Sequence, residues 1–513
     1  MSEEARAMRM RNMQSNQPYG DDVSGPLMGG TPRRRRLCGM PRWAIVTLGI
    51  ILGIGVAFLA IGFPILKSTT WKNGADAEDG SDGVGGGGSG GNSSNKPVSK
   101  WIDPDTPKEF KTKKMEDGVE YKLVFSDEFN QDGRNFAPGK DKIWEAVDLH
   151  YWQTGDYERY TPEQATTKNG TLRITVEQKD TKGQRYASAM LQTWNNFCFR
   201  GGYIEASVSL PGSPRVSALW PAIWTMGNLG RAGYGASTEG LWPYSYDTCD
   251  NGVTPSQGNA ALSGLPGQRL NKCLCSDQDT PTPGIGRSAA EIDLLEGAGG
   301  DRGNEGDEGN GGGGTVSQSH QFAPFDALYT VQEQFVVIHN RSSTYKNSYK
   351  GGKLQQAISV KTKIGDQYYE GKDYLKYAFA YEPGPEGKVV WWVDNDKKWT
   401  LDARAVAANP RSNVGQRIIS EEPMYLLMNV AISDGFGMVD FRNARFPATM
   451  YVDYMRIYQH PDKIDIGCDP KDRPTKKYID DHPFLYQNAT LRKFAEAGYP
   501  LPQYSLNGQC KAQ

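Results

Sequence analysis

Three carboxylates fall within the run Glu291-Ile-Asp-Leu-Leu-Glu296, whose apolar residues otherwise read as a buried strand. Successive side chains of a strand alternate faces, so Glu291 and Asp293 point one way and Glu296, five positions on, points the other. One extra residue removes the mismatch, because a β-bulge sets two residues against one on the neighbouring strand. All three acids then share a face. Two carboxyls about 5–5.5 Å apart suit a retaining glycosidase, in which one attacks the anomeric carbon and the other protonates the departing oxygen. An edge strand with solvated acids would carry the same letters, since charge on an edge guards against aggregation.

Aromatic residues are the second chemical signal. The chain of 513 residues holds 12 Trp and 26 Tyr. Flat aromatic faces suit sugar rings, and they equally fill a β-rich core. A formal net charge of −2 gives no electrostatic reason to expect nucleic acid as a partner. Cys273-Leu-Cys275 lacks the two-residue spacing of common zinc or redox motifs and no His cluster accompanies it, so neither metal nor other cofactor is expected.

The elements that must position these residues follow from composition. Residues 1–42 are polar and aperiodic, and read as a disordered cytosolic tail. Trp43 to Leu66 is uncharged and mostly apolar, long enough for a transmembrane helix. Arg33 to Arg36 and Arg42 precede it, so the positive-inside bias keeps the N-terminus cytosolic and everything beyond Leu66 lumenal or extracellular, a type II arrangement in the secretory pathway. Residues 67–100 contain Gly83-Val-Gly-Gly-Gly-Gly-Ser-Gly-Gly91 and read as a flexible tether. Sequons at Asn92, Asn169, Asn340 and Asn488 all fall beyond the span, and Cys198, Cys249, Cys273, Cys275, Cys468 and Cys510 provide for three disulfides in an oxidising compartment. Cys38 stands alone on the cytosolic side.

From about Trp101 the chain becomes short apolar or alternating runs between turn residues, as in Thr171-Leu-Arg-Ile-Thr-Val176, Val389-Val-Trp-Trp-Val393 and Met424-Tyr-Leu-Leu-Met-Asn-Val430. Such a pattern predicts an all-β sandwich or barrel over 101–466, with 467–513 as a C-terminal extension. Residues 227–289 form a Gly/Pro/Ser-rich insertion, expected to be stapled by its cysteines because it buries little core itself. Gly297 to Gly314 is expected to be a mobile loop beside the acids.

Several of these segments, in order, resemble glycoside hydrolase family 16. Leu123-Val-Phe-Ser-Asp-Glu-Phe-Asn130 looks like its opening strand, Gly201-Gly-Tyr-Ile-Glu-Ala206 and Leu219-Trp-Pro-Ala-Ile-Trp224 like its cleft strands, and Glu291 to Glu296 like its bulged catalytic signature. A narrower branch, the fungal type II membrane proteins associated with β-1,6-glucan synthesis, is similar through Ser188-Ala-Met-Leu-Gln-Thr-Trp-Asn195, Ser237-Thr-Glu-Gly-Leu-Trp-Pro-Tyr-Ser-Tyr246 and Val316-Ser-Gln-Ser-His-Gln-Phe-Ala-Pro-Phe325. The resemblance implies a concanavalin A-like β-jelly-roll with a glycan cleft, Glu291 as nucleophile, Glu296 as general acid/base and Asp293 tuning their charge. Trp194, Trp220 and Trp224 are the candidates for sugar stacking, and Asn429 for the cleft lining. The expected partner is a β-glucan polysaccharide or oligosaccharide. Beside an enzyme stand two other readings, a glucan-binding scaffold without turnover and a quality-control factor of the secretory pathway.

Overall fold

Alternating apolar residues build two sheets that close a core between them. In the computed structural model, residues 98–254, 267–301, 313–323, 329–351 and 355–510 are described. The expected tail, the transmembrane segment, the tether up to residue 97, Cys38 and Asn92 lie outside them. No helix among the described residues is long and apolar enough to cross a membrane.

One sheet has eight strands, in the order Thr344–Lys346, Gln356–Ile364, Gly313–Phe322, Glu291–Asp301, Trp220–Gly227, Met424–Ala431, Met190–Gln192 and Glu145–Ala146. The carboxylate strand is therefore central rather than an edge. The second sheet has twelve strands, with Gly202–Ser209 between Leu375–Glu382 and Ala448–Gln459 at its middle. Ile223, Ile292, Leu426 and Met428 of the first sheet pack against Ile204, Val208, Phe379 and Trp391 of the second. The expected all-β sandwich is what forms.

Two expectations need correction. The insertion buries Leu229, Leu241, Tyr244, Tyr246 and Leu270 almost completely, because they pack against the body as well as with one another. Leu229, Leu241 and Leu270 join Tyr425 and Leu427, and Tyr244 and Tyr246 join Ala323 and Val414. The stretch after Glu296 is not loop from its start, since the strand continues through Asp301. A Cβ at Gly299 would sit 2.4 Å from the Val216 carbonyl, so its glycine admits that segment rather than loosening the chain. Residues 302–312 of the expected loop lie outside the described residues.

The three disulfides pair Cys198 with Cys468, Cys249 with Cys273 and Cys275 with Cys510. Two of them anchor the C-terminal extension, which is part of the same compact unit as the sandwich. The buried Arg287 guanidinium, at the end of the insertion, grips Glu422 of the body through two 2.8 Å bonds and also donates to the carbonyls of Arg473 and Pro474 in the extension.

Candidate active site

The bulge required by the spacing of the acids is present. Glu291 stands opposite Met226, Asp293 opposite Trp224 and Glu296 opposite Ala222, with one residue gained between Asp293 and Leu295. The other neighbour has the same shift, with Asp293 opposite Ser319 and Glu296 opposite Ser317. Leu294 and Leu295 both enter the core, and Glu296 is returned to the face of Glu291 and Asp293. All three acids line one cleft of about 430 Å³ on the outer face of the eight-stranded sheet.

Each acid has a distinct partner. Trp242 donates its indole N–H to Glu291 Oε2 at 2.5 Å, Gln321 Nε2 donates to Asp293 Oδ2 at 3.0 Å, and Trp220 Nε1 donates to Glu296 Oε1 at 3.0 Å. Ser319 adds a longer bond, 3.4 Å, to Glu296 Oε2. Burial raises all three acids above the usual carboxylate range because it disfavours the charged form. Glu291 is pushed up to about 7 by burial and then by the charge of Glu296, while hydrogen bonds from Trp242 and Asp293 pull it back. Asp293 is held well above its ordinary value by burial and the charge of Glu291, and its bond to Glu291 favours the protonated form of Asp293. Glu296 is also held well above its ordinary value, by burial first and by Asp293 second. Burial and mutual repulsion thus favour the protonated form of all three acids, and the Trp242 and Asp293 donors are what favour charge on Glu291.

Trp220, Trp224 and Asn429 line the same cleft. Trp224 donates to Asn429 Oδ1 at 2.9 Å, and Asn429 Nδ2 donates to the Tyr160 hydroxyl at 3.1 Å. One face of Trp220 lies flat on Phe436, centroids 4.5 Å apart. Trp194 is not brought to the cleft, which corrects its assignment to sugar stacking. It sits in the turn after Met190–Gln192, stacked on Tyr486 of the extension, with the Arg231 guanidinium over its ring and its indole bonded to the Asn228 carbonyl.

Sequence reasoning missed several cleft residues. Trp242 comes from the insertion, and Arg492 and Lys493 come from the extension. No local pattern marks them, since only the packing of those segments onto the sheet brings them in. Gln321 in the cleft and Ser319, which bonds Glu296, did carry a signal, because polar residues alternate along Ser317, Ser319 and Gln321 and must face the same way as the acids opposite them. Among the described residues no cluster has the makings of a metal site.

The model of the family described as "Beta-glucan synthesis-associated protein SKN1/KRE6/Sbg1" matches residues 34–510. The chain is 44% identical to beta-glucan synthesis-associated protein KRE6 of Saccharomyces cerevisiae over 415 residues, 80% of this chain and 56% of that one. It is 45% identical to beta-glucan synthesis-associated protein SKN1 of Candida albicans over 413 residues, 79% of this chain and 54% of that one. The chain therefore spans about half the length of the curated relatives it matches. Among solved structures, the catalytic domain of an endo-1,3-beta-glucanase (laminarinase) from Thermotoga petrophila RKU-1 is similar at 22% identity with a TM-score of 0.40, over 67% of this chain and 99% of that one. With its family model matched over nearly its whole length, the chain belongs to the SKN1/KRE6/Sbg1 family of β-glucan synthesis-associated proteins.

Proposed function

We propose that the chain is a membrane-anchored, retaining β-glucan hydrolase and transglycosylase of the glycoside hydrolase family 16 type, acting in fungal cell-wall β-1,6-glucan assembly. The observation that carries this reading is the bulge that brings Glu291, Asp293 and Glu296 to one face of the strand within one cleft, each with its own donor. Glu291, whose charged form is favoured by donors from Trp242 and Asp293, serves as nucleophile. Glu296, kept protonated by its burial, gives its proton to the leaving oxygen and then acts as base toward the incoming hydroxyl. The acceptor is water or a sugar hydroxyl. Transfer is favoured where Trp220 and Trp224 raise the local occupancy of a glucan chain above that of productively placed water. The jelly-roll topology and the type II anchor through Trp43 to Leu66 belong to the same proposal, with the globular part lumenal or extracellular.

A second reading, a glucan-binding protein without turnover, draws on the indole donors that already occupy Glu291 and Glu296. One experiment separates the two. The purified full chain is incubated with β-1,3- and β-1,6-linked oligoglucans, and shortened and lengthened products are weighed by mass spectrometry. Catalysis gives products that retain the β configuration and are lost in Glu291→Gln and Glu296→Gln, with azide partly rescuing Glu296→Ala on an activated substrate. Binding with no product in the unmodified protein would establish the second reading, and an inverted product would remove Glu291 as nucleophile.

A further inference from the structure

A bulge breaks the regular ladder, so the carbonyls around it need donors from elsewhere. At this bulge three successive carbonyls take side-chain donors. Thr225 Oγ1 donates to the Ile292 carbonyl at 2.9 Å, Trp391 Nε1 to the Asp293 carbonyl at 2.9 Å, and Gln318 Nε2 to the Leu294 carbonyl at 3.1 Å. The donors come from both neighbouring strands and from the opposite sheet. None is among the cleft residues, and their exposures are 2% for Thr225 and 0% for Trp391 and Gln318. The Gln318 amide also donates to the Trp392 carbonyl at 3.3 Å, which ties the bulge residue to the second sheet. Trp391 is itself fixed by a flat stack on Trp399, centroids 3.9 Å apart.

We infer that Trp391, Gln318 and Thr225 are positioning residues that clamp the bulge from beneath and thereby set the separation of Glu291 and Glu296. The inference rests on the retaining mechanism proposed above for its functional meaning, and on the hydrogen bonds alone for its structural one. A strand without the extra residue would turn Glu296 into the core, and a bulge free to shift would vary the distance between nucleophile and acid. Misplacement of a reacting group by about 1 Å costs on the order of 100-fold in rate. Two carboxyls held by one backbone irregularity depend on whatever immobilises that irregularity. The clamp is built to leave substrate binding alone, because all three donors lie on the far side of the sheet from the cleft.

The test uses the full chain with Gln318→Met, Trp391→Phe and Thr225→Val, each close in shape and lacking the donor, and Thr225→Ser, which keeps the hydroxyl. Two readouts are taken: steady-state kinetics on an oligoglucan, and hydrogen–deuterium exchange of peptides covering residues 290–297. We expect kcat to fall about 10- to 100-fold in Gln318→Met and Trp391→Phe with KM within about twofold, and exchange to rise in the bulge peptide alone. Thr225→Ser should retain the behaviour that Thr225→Val loses. Unchanged exchange at the bulge, or a rise spread evenly over both sheets as general destabilisation would give, overturns the inference. If the unmodified chain shows no turnover, the proposed activity fails and the exchange result still decides the clamp.

Discussion

The indole N–H of Trp242 meets the carboxylate of Glu291 at 2.5 Å, so a residue of the insertion stabilises the charge on an acid of the central strand. A hydrogen bond to the ionised form lowers a carboxyl's pKa. Trp242→Phe keeps most of the ring and removes the donor, and Glu291 then stays protonated to higher pH. The acid limb of kcat/KM should move upward by about one to two pH units, the worth of a bond to a charged group. A pH–rate profile with its acid limb unmoved would show that Trp242 does not control the ionisation of Glu291.

Glu296 yields a prediction about stability. Its pKa is raised in the folded protein, so the native state binds this proton more tightly than the unfolded chain does. That advantage is fully present below the unfolded value of about 4.3 and is lost as pH rises through the folded value. Glu296→Gln has no such proton to lose. Thermal scans at pH 8 should therefore show the variant melting about 2–4 °C above the unmodified protein, with the gap closing near pH 4, while turnover is largely abolished. A variant less stable than its parent at pH 8 would contradict the burial argument.

Arg287 and Glu422 provide a third test. Removing the guanidinium in Arg287→Met strands a buried carboxylate and leaves the carbonyls of Arg473 and Pro474 without their donor. Denaturant titration should register a loss of about 3–5 kcal/mol. Arg287→Met combined with Glu422→Leu should recover a good part of it, since no charge is then left unpaired. Equal losses in the single and double variants would mean that the carbonyl contacts, not the ion pair, carry the effect.

For the proposed topology, sealed microsomes are the measure. Protease added outside should leave everything beyond Leu66 intact, and enzymatic removal of N-glycans should lower the apparent mass. Asn169 is exposed and Asn340 and Asn488 are half-buried, so Asn169→Gln is expected to remove a glycan with the least effect on folding. Digestion of the globular part in sealed vesicles would reverse the orientation.

How far the sequence could be read depended on periodicity. Met424–Ala431 and Leu172–Thr181 were legible because apolar runs and alternation survive in the letters, and the bulge was legible because Glu296 stood on the wrong parity from Glu291. Trp194 was misassigned because it lies in a turn just beyond a strand, where alternation no longer determines a side chain's direction. Trp242 was invisible for a different reason. Its position depends on Leu229, Leu241 and Leu270 anchoring the insertion against Tyr425, a relation between segments far apart in sequence. The number of disulfides followed from the even count of cysteines beyond Leu66 and an expected oxidising compartment, but their pairing needed the fold.

The two long-range disulfides bear on how the protein is made. Cys198 waits for Cys468, 270 residues later, and Cys275 for Cys510, 235 residues later. The early strand Glu120–Asp127 pairs with the short neighbouring strand Thr112–Lys114 and otherwise with Ala448–Gln459. Pairings so distant fold late, because loop closure must precede the contacts that reward it. Since Arg492 and Lys493 line the cleft, its wall is completed by residues made long after the acid strand. A nascent chain would therefore carry an acid strand without an enclosed site until residues 468–510 have emerged and oxidation has fixed them in place.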